Sequence, residues 1–375
     1  MGVAGWLFYD HHVRDPLAYG VLRFKAPRTP SRRWYYYIPA QGEPMALTHR
    51  IEPGMLDALP AGTRLQYSSH QSMRARLEKM VGRAGKVVMQ HSPFCEIPYV
   101  ATVDAGTIDL VRSLGNEIVS SADLVQYFQS RWTAGQLETH MAAGRLIDEV
   151  RRQAFVRIAS REPATEFEIA EFIRRRFAGE GLITDHGPIV AVNANASNPH
   201  YEPVEGRSAE IRPGDLVLID MWAKLAEPDD SVYYDITWTG FVGADPPEKM
   251  LEVFAIVRDA RKAAAALVIR RIAAGEPVHG FEVDDAARGL ISSHGYADFF
   301  VHRTGHSIGV DVHGTGANMD NLESHDTRRI IPGTCFSVEP GIYLEPFGIR
   351  SEVNVYAGES EAFVTGEQQE ELLRL

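Results

Sequence analysis

Residues 302–314 read HRTGHSIGVDVHG, three histidines in thirteen positions with glycines at 305, 309 and 314. An imidazole near neutral pH either binds a metal or moves a proton. His302 and His306 are four apart and would share a helix face, but Gly305, Gly309 and the run 307–312 read as a loop entering a strand. Taken alone, the stretch equally describes a glycine-rich loop with incidental surface histidines. Four acids elsewhere bear on the choice. Asp220 ends DLVLID (215–220), and Asp235 lies near the start of YYDITWTGFVG (233–243). Glu339 sits inside CFSVEPGIYL (335–344) and Glu352 inside IRSEVNVYA (349–357). A carboxylate within an apolar strand is expensive to bury unless its charge is compensated.

The acids fall into two pairs. The strands of Asp220 and Asp235 are joined through Glu227-Pro228-Asp229-Asp230, those of Glu339 and Glu352 through Glu345-Pro346-Phe347-Gly348. Two such hairpins focus four negative charges on one point, and these strands contain almost no lysine. Two divalent cations would balance them, with His306 the best-placed imidazole to complete the site. Carboxylates with one imidazole suit manganese, cobalt, iron or zinc rather than calcium. Two such ions acidify a water and polarise the carbonyl it attacks. The competing reading is four independently solvated strand acids.

Long helices must position these strands. AGQLETHMAAGRLIDEVRRQAFVRIAS (134–160) repeats Leu137, Met141, Leu146, Val150, Ala154 and Ile158 at helical spacing. PATEFEIAEFIRRRFAGEG (163–181) opens on a capping box, Thr165 with Glu168, and closes on glycine. Arg174-Arg175-Arg176 reads as its exposed face. Further helices are expected at about 247–274 and 281–293. The first third alternates strand and helix signals. GWLFYD (5–10) and RRWYYYIPA (32–40) are β-prone, and EPMALTH (43–49) can pair with the latter across Gln41-Gly42. HQSMRARLEKMVGRAG (70–85) reads as a helix ending at glycine, followed by the strand KVVMQ (86–90). This part has no evident site, and its arginines read as a solvated face. The domain boundary is placed near 125–135, giving domains 1–130 and 131–375.

A length of 375 residues exceeds one core, so two domains are expected. Hydrophobic content of 45% and charged content of 23% describe a globular chain. The net charge of −12 argues against nucleic acid or an anionic membrane as the main partner. Two cysteines, Cys95 and Cys335, are too few for a disulfide framework or zinc ribbon and suit a reducing, cytoplasmic location. The start lacks a basic leader, Trp6 breaks a myristoylation signal, and the apolar run 262–274 is too short and basic to span a bilayer.

LVLID, YYDITWTGF, HRTGHSIGVDVHG, FSVEPGIY and RSEVN, in that order, resemble the pita-bread metallopeptidase superfamily of prolidase, aminopeptidase P, methionine aminopeptidase and creatinase. The resemblance covers about 135–375, and the first third resembles a creatinase-type N-terminal domain. It implies an α/β (α+β) fold: a creatinase-like N-terminal α/β domain, then a catalytic domain whose curved, mainly antiparallel sheet is covered by helices. It also implies residue roles. Asp220 would chelate one metal, Asp235 and Glu352 would bridge two, and His306 and Glu339 would complete the second. Glu339 would also take a proton from the bridging water, and His313 would donate to the substrate carbonyl or tetrahedral intermediate. His302 and His200 would line the substrate pocket, with His302 counted among the catalytic groups. Arg350 and Thr237 would orient carboxylate ligands.

The implied activity is hydrolysis of Xaa-Pro bonds, in dipeptides or at the N-terminus of longer peptides, by a metal-bridging hydroxide. Manganese ranks first as the metal, with cobalt, zinc or iron as alternatives. The alternative activity is a creatinase-like reaction on a small non-peptide amide or amidine. A third possibility, a catalytically dead binding module of the same fold, would have lost ligands that this chain keeps. The partner is a small peptide, and a homodimer is allowed, since many relatives dimerise. Arg328 and Arg329 are candidates for a substrate carboxylate or for plain surface positions. Where the family usually has glycine two residues after the first aspartate, this chain has Trp222. AEPDD (226–230) lengthens the connection, and Trp238 stands where many members have arginine, departures expected to reshape the rim. His306 and His313 are an odd number of residues apart, which on a straight strand would place them on opposite faces. A bulge at Gly309 or a loop is therefore required.

Overall fold

The aromatic runs 5–10 and 34–39 pair antiparallel at the centre of a six-stranded sheet. The computed structural model describes residues 2–25 and 30–375, and the chain divides into two units, Met1–Gln129 and Ser130–Leu375. The first contains β1 (Gly5–Asp10), α1 (Pro16–Leu22), β2 (Trp34–Pro39), β3 (Met45–His49), β4 (Thr63–Tyr67) and α2 (His70–Val81). It continues with β5 (Lys86–Met89), α3 (Ala105–Arg112), β6 (Glu117–Ser120) and α4 (Ala122–Gln129). The sheet order is β4-β3-β2-β1-β5-β6, and β2 alone runs against the others. Helix α2 stops earlier than its sequence suggests, at Gly82 rather than Gly85. Gly82 has φ 69° and donates its N–H to the Glu78 carbonyl, which closes the last turn.

The second unit opens with α5 (Ala134–Ala159) and α6 (Glu166–Gly179), each begun by a capping box, at Thr133 and Thr165. Then come β7 (Leu182–Ile183), β8 (Ile189–Val192), β9 (Leu216–Leu225), β10 (Tyr234–Phe241), α7 (Glu248–Ala273) and α8 (Gly280–Ser293). The chain finishes with β11 (Ser307–Ile308), β12 (Thr334–Val338), β13 (Gly341–Leu344), β14 (Phe347–Arg350), β15 (Val353–Ala357), β16 (Ala362–Thr365) and β17 (Leu373–Arg374). Arg174 and Arg176 of α6 pair with Glu171 and Glu180, the arrangement of a solvated helix face.

Period-two alternation sorts β9 and β10. Val217, Ile219, Met221, Ile236 and Trp238 join α5 residues such as Ile147 and Ala154 in one core. The intervening Asp220, Asp235 and Thr237 therefore face away from α5. Val253, Val257 and Val268 of α7 cover β12, β14 and β15 through Phe336, Val338, Ile349 and Val355. Among the described residues no helix is long and apolar enough to cross a membrane.

One expectation needs correction. Residues 335–344 and 349–357 are not two continuous strands. The β12–β15 ladder ends at Val338 opposite Val353, and the β13–β14 ladder starts at Gly341 opposite Arg350. Pro340 has no N–H for a ladder, and the Glu352 N–H leaves it to bond the Thr237 carbonyl of β10 at 3.1 Å. Glu339 and Glu352 both lie in this break.

Candidate metal centre

Register brings the first acid pair together. Asp220 opposes Thr237 and Asp235 opposes Trp222, so the two aspartates are diagonal neighbours on one face. The same face of β10 is stitched to the break. The Thr239 hydroxyl donates to the Arg350 carbonyl at 2.9 Å, and the Asn354 amide donates to the Asp235 carbonyl at 2.6 Å. The Asp235 N–H returns a bond to Asn354 Oδ1 at 3.3 Å. Both acid pairs thus converge on one place.

The histidine loop is tied to β12. The His306 N–H donates to Ser337 Oγ at 3.0 Å, and the Ser337 N–H donates to the His306 carbonyl at 2.9 Å. A Cβ on Gly305 would lie 1.9 Å from the Ser337 carbonyl oxygen, so only glycine permits this approach. Gly305→Ala is expected to cost roughly 1–3 kcal/mol, or more if the loop must move, read as a lower denaturant midpoint with metal affinity falling alongside. An unchanged midpoint would show that the loop adapts freely. Beyond β11 the chain turns back, and the Gly314 N–H reaches the Ser307 carbonyl at 2.6 Å. Strand parity therefore never applies, and the His306 and His313 rings meet edge to face with centroids 4.4 Å apart. The tight glycine here is Gly314, whose added Cβ would meet Ser307 Oγ at 2.9 Å, whereas at Gly309 nothing comes nearer than 3.9 Å.

His306 Nε2 lies 3.5 Å from Asp235 Oδ2 and 3.4 Å from Glu339 Oε1. One donor atom each from Asp235, His306 and Glu352 falls within 4.8 Å of the others, and all three residues are buried. Among the described residues, Asp220 Oδ1, Asp235 Oδ1 and Glu352 Oε1 are buried without a hydrogen-bond partner. Leaving three buried carboxylate oxygens without a partner is costly, and a divalent cation is what this donor set fits. Burial, and for Asp235 the neighbouring Asp220, push the Asp235 carboxyl up to about 7. Burial and then Asp235 and Glu339 push Glu352 well above the usual range. Asp220 is also raised by burial, against the opposing pull of Arg350. Glu339 departs the other way. Burial would raise it, but His306, His302 and Arg350 together hold it below the usual carboxylate value. His306 is raised despite burial by its bond to Asp235 and the charge of Glu339.

A supporting layer orients these groups. Arg350 donates to Asp220 Oδ2 at 2.5 Å, to Thr237 Oγ1 at 3.0 Å and to the Tyr343 hydroxyl at 3.0 Å. Thr237 in turn donates to Glu352 Oε2 at 2.8 Å. The guanidinium offsets one of the four carboxylate charges, a cation that counting lysines overlooked. His302 is half-buried in this layer. Its Nδ1 meets the Arg303 carbonyl at 2.7 Å and its Nε2 the Tyr343 hydroxyl at 2.6 Å, so both ring nitrogens are engaged. Burial holds its imidazole near pKa 4, neutral at physiological pH. His313 is solvent-accessible. Partial burial and the charge of His306 keep its imidazole below the ordinary value.

Two supporting residues escaped sequence reasoning. Arg261, buried on α7, donates to Ser351 Oγ at 2.6 Å and to the Gln369 carbonyl at 2.8 Å, bracing the break beside Glu352. Tyr343 links Arg350 to His302. An arginine in the helical pattern around 247–274 was the available signal for Arg261; Tyr343 carried none.

The remaining candidates contribute no donor atom to the cluster. His200 is exposed in a turn, its N–H bonded to Asn198 Oδ1 at 3.1 Å. Arg328 is buried and holds Asp326 and the Thr315 carbonyl, which makes it an internal staple rather than a clamp for substrate. Arg329 is exposed. Trp222 lies on the Asp220 face and donates its indole N–H to Asp185 at 2.8 Å. Trp238 points the other way, into the α5 core, with the Arg151 guanidinium 3.5 Å over its ring. It therefore does not shape the rim, contrary to the expectation from sequence.

Four carboxylates and one imidazole on a helix-covered sheet describe a metal-dependent hydrolase. A sequence profile for metallopeptidase family M24 matches residues 138–359, and the chain belongs to that family. It is similar to an Xaa-Pro dipeptidase of Lactobacillus delbrueckii subsp. lactis, 34% identical over 171 residues, 45% of this chain and 41% of that protein. The matched stretch thus spans about two fifths of that curated relative. The fold is similar over its full length to dipeptidase PepE from Mycobacterium ulcerans, TM-score 0.70 at 24% identity, covering 100% of this chain and 93% of that one. It is likewise similar to a prolidase from Thermococcus sibiricus, TM-score 0.64 at 24% identity, covering 100% and 95%. The α/β architecture, with an N-terminal mixed sheet and a pita-bread catalytic domain, is the fold of these proteins.

Proposed function

We propose that this chain hydrolyses Xaa-Pro bonds with two divalent cations, manganese first among them. The observation that carries the reading is the set of three buried, unpartnered carboxylate oxygens gathered beside His306. The Xaa-Pro preference is supported by the name of the Lactobacillus relative. Asp220, Asp235 and Glu352 would hold one ion, and Asp235, Glu352, His306 and Glu339 the other. When bound, the ions polarise the scissile carbonyl and bring the pKa of water toward neutrality.

The chain's own groups supply the rest. The Glu339 side chain is 16% exposed against 6% for Asp235, and its neighbours keep it ionised. It would take a proton from the attacking water and return it to the leaving prolyl nitrogen. Neutral His313, on the accessible side of His306, would donate to the carbonyl oxygen as negative charge develops there. His302 and Tyr343 would position Arg350, which keeps Asp220 aimed inward. His200 would border the substrate pocket. Residues 131–375 form the catalytic domain in this reading and 1–130 a creatinase-like N-terminal domain, in a cytoplasmic protein able to form a homodimer.

The test is a panel of Gly-Pro, Ala-Pro and Xaa-Pro-Xaa peptides, with matched peptides lacking proline, after loading with manganese, cobalt or zinc. Hydrolysis confined to the proline peptides, and abolished by chelator, is the expected result. Full activity in chelator, or turnover of only the proline-free peptides, would reject the reading. Cleavage of the dipeptides alone would make it a dipeptidase; release of the first residue from tripeptides, an aminopeptidase.

A further inference from the structure

The N-terminal unit contains a second feature that peptide hydrolysis does not use. Strands β1, β3 and β4 run in one direction, so their C-terminal ends and the start of β2 share one edge of the sheet. In open α/β sheets that edge is where ligands bind. A cavity of ≈ 640 Å³ opens there, lined by Arg14, Arg32, Arg33, His11, His49 and His70. Its one lining carboxylate, Asp104, is already committed, accepting from the Thr107 N–H at 2.9 Å and hydroxyl at 2.8 Å as the N-cap of α3. The guanidinium groups of Arg14 and Arg33 have no hydrogen bond or salt bridge among the described residues, and that of Arg32 donates only to its neighbour Ser31. Sequence reading took these arginines for a solvated face. Their convergence on one concave site, with Asp104 the one carboxylate in its lining and Glu52 beside Arg32, leaves cations in excess and does not fit that description.

The wall is built rather than incidental. Asp10, fully buried, turns its carboxylate inward and accepts from the N–H groups of Val13, Arg14 and Asp15 and from the Tyr19 hydroxyl. This holds His12 at φ 67° and Val13 at φ 58°, a conformation that a β-branched residue rarely adopts, and it presents His11 and Arg14 to the cavity. The twelve-residue α2 starts at the cavity wall. Ser69 caps it, its first turn carries no acid, and its positive end adds to the field. Burial first, then His12, Arg14 and Arg33, hold the His11 imidazole below its usual value against the opposing pull of Asp10. The buried Tyr9 and Tyr67 floor the cavity with aromatic surface.

We propose that this cavity binds a small phosphate-bearing anion through Arg14, Arg32 and Arg33, with the first turn of α2. Guanidinium forks suit phosphate oxygens, and the volume admits more than one phosphate group. The test is calorimetric titration of inorganic pyrophosphate into the full-length, metal-loaded protein at low ionic strength. Wild type, the double variant R14Q/R33Q and Asp235→Asn are compared. Wild type should bind one equivalent, weakening as salt is added. The double variant should lose affinity by roughly tenfold or more per guanidinium removed, and Asp235→Asn should keep the binding in the N-terminal unit. Among the described residues neither guanidinium has a hydrogen-bond or salt-bridge partner, so the double variant should melt as wild type does; if it does not, Arg14→Gln alone gives the same comparison. Absence of saturable binding to wild type, equal binding by wild type and double variant, or binding lost only in Asp235→Asn would each overturn the proposal. The last outcome would place pyrophosphate on the metal centre instead.

Discussion

Asp235→Asn is expected to abolish peptide hydrolysis and to weaken binding at both proposed cation positions at once. Asp235 stands between the two halves of the cluster, diagonal to Asp220 on the strand pair and 3.5 Å from His306. Among the described residues its Oδ1 has no hydrogen-bond partner. An amide keeps the shape but removes the charge and one acceptor, so both ions lose a shared ligand. The loss of activity should exceed the 10–100-fold typical of changing an outer partner, reaching about 10³-fold or more. The fold should survive, because the bonds tying Asp235 to Asn354 are made by its backbone. Stability supplies an independent check. In the metal-free protein the Asp235 carboxyl is raised to about 7 by burial and then by Asp220. A group whose folded pKa lies above its unfolded value loses its stabilising contribution as pH rises through the folded value. Metal-free wild type should therefore be destabilised at pH 8 by this ionised carboxylate, and metal-free Asp235→Asn should melt higher there, the gap narrowing toward pH 5. Wild-type rates in the variant, or a metal-free melting point below wild type at pH 8, would show that Asp235 is an ordinary strand acid.

The residues of the cluster were legible because burial makes their chemistry conspicuous. A carboxylate in the run LVLID has no cheap explanation, and four such acids within apolar runs point to a shared cation. Helices α5 to α8 were legible because long periodic runs, with a capping box opening α6 and prolines before α7, leave little choice. The break between β12 and β13 was not legible. Pro340 hints at it, but the deciding contact is the Glu352 N–H bonding Thr237 on another strand, 115 residues away in sequence. Trp238 was misplaced because sequence comparison with the family says what residue differs, and only register says which face it occupies. Arg328 illustrates a similar limit, its charge being spent on Asp326 two residues away. In the first third, short strands such as β4 and β6 carry too few residues for periodicity to separate them from loops. The arginines there are scattered along the chain, and nothing short of the sheet order brings them together.

The two histidines of the loop should separate metal binding from transition-state stabilisation. His306 Nδ1 lies 3.2 Å from the Ser307 carbonyl, which can only accept, so Nδ1 donates there and Nε2, on the side of Asp235 and Glu339, is the nitrogen that would meet a metal. His306→Ala should therefore lower metal occupancy, with activity falling in step and partly restored by excess metal. The His313 and His306 rings meet edge to face, and His313 is exposed. Its low imidazole pKa keeps it neutral at pH 7, a form with one N–H to donate. His313→Ala should keep its metals and its melting point while kcat falls by roughly 10²–10³, the range for losing one donor to a developing oxyanion. KM should move much less, because that bond strengthens mainly in the transition state. Excess metal should not rescue it. Metal content and steady-state kinetics on the two variants side by side decide the matter: loss of metal in His313→Ala with retention in His306→Ala would reverse the two assignments. No change in either variant would return residues 302–314 to the status of a glycine-rich loop.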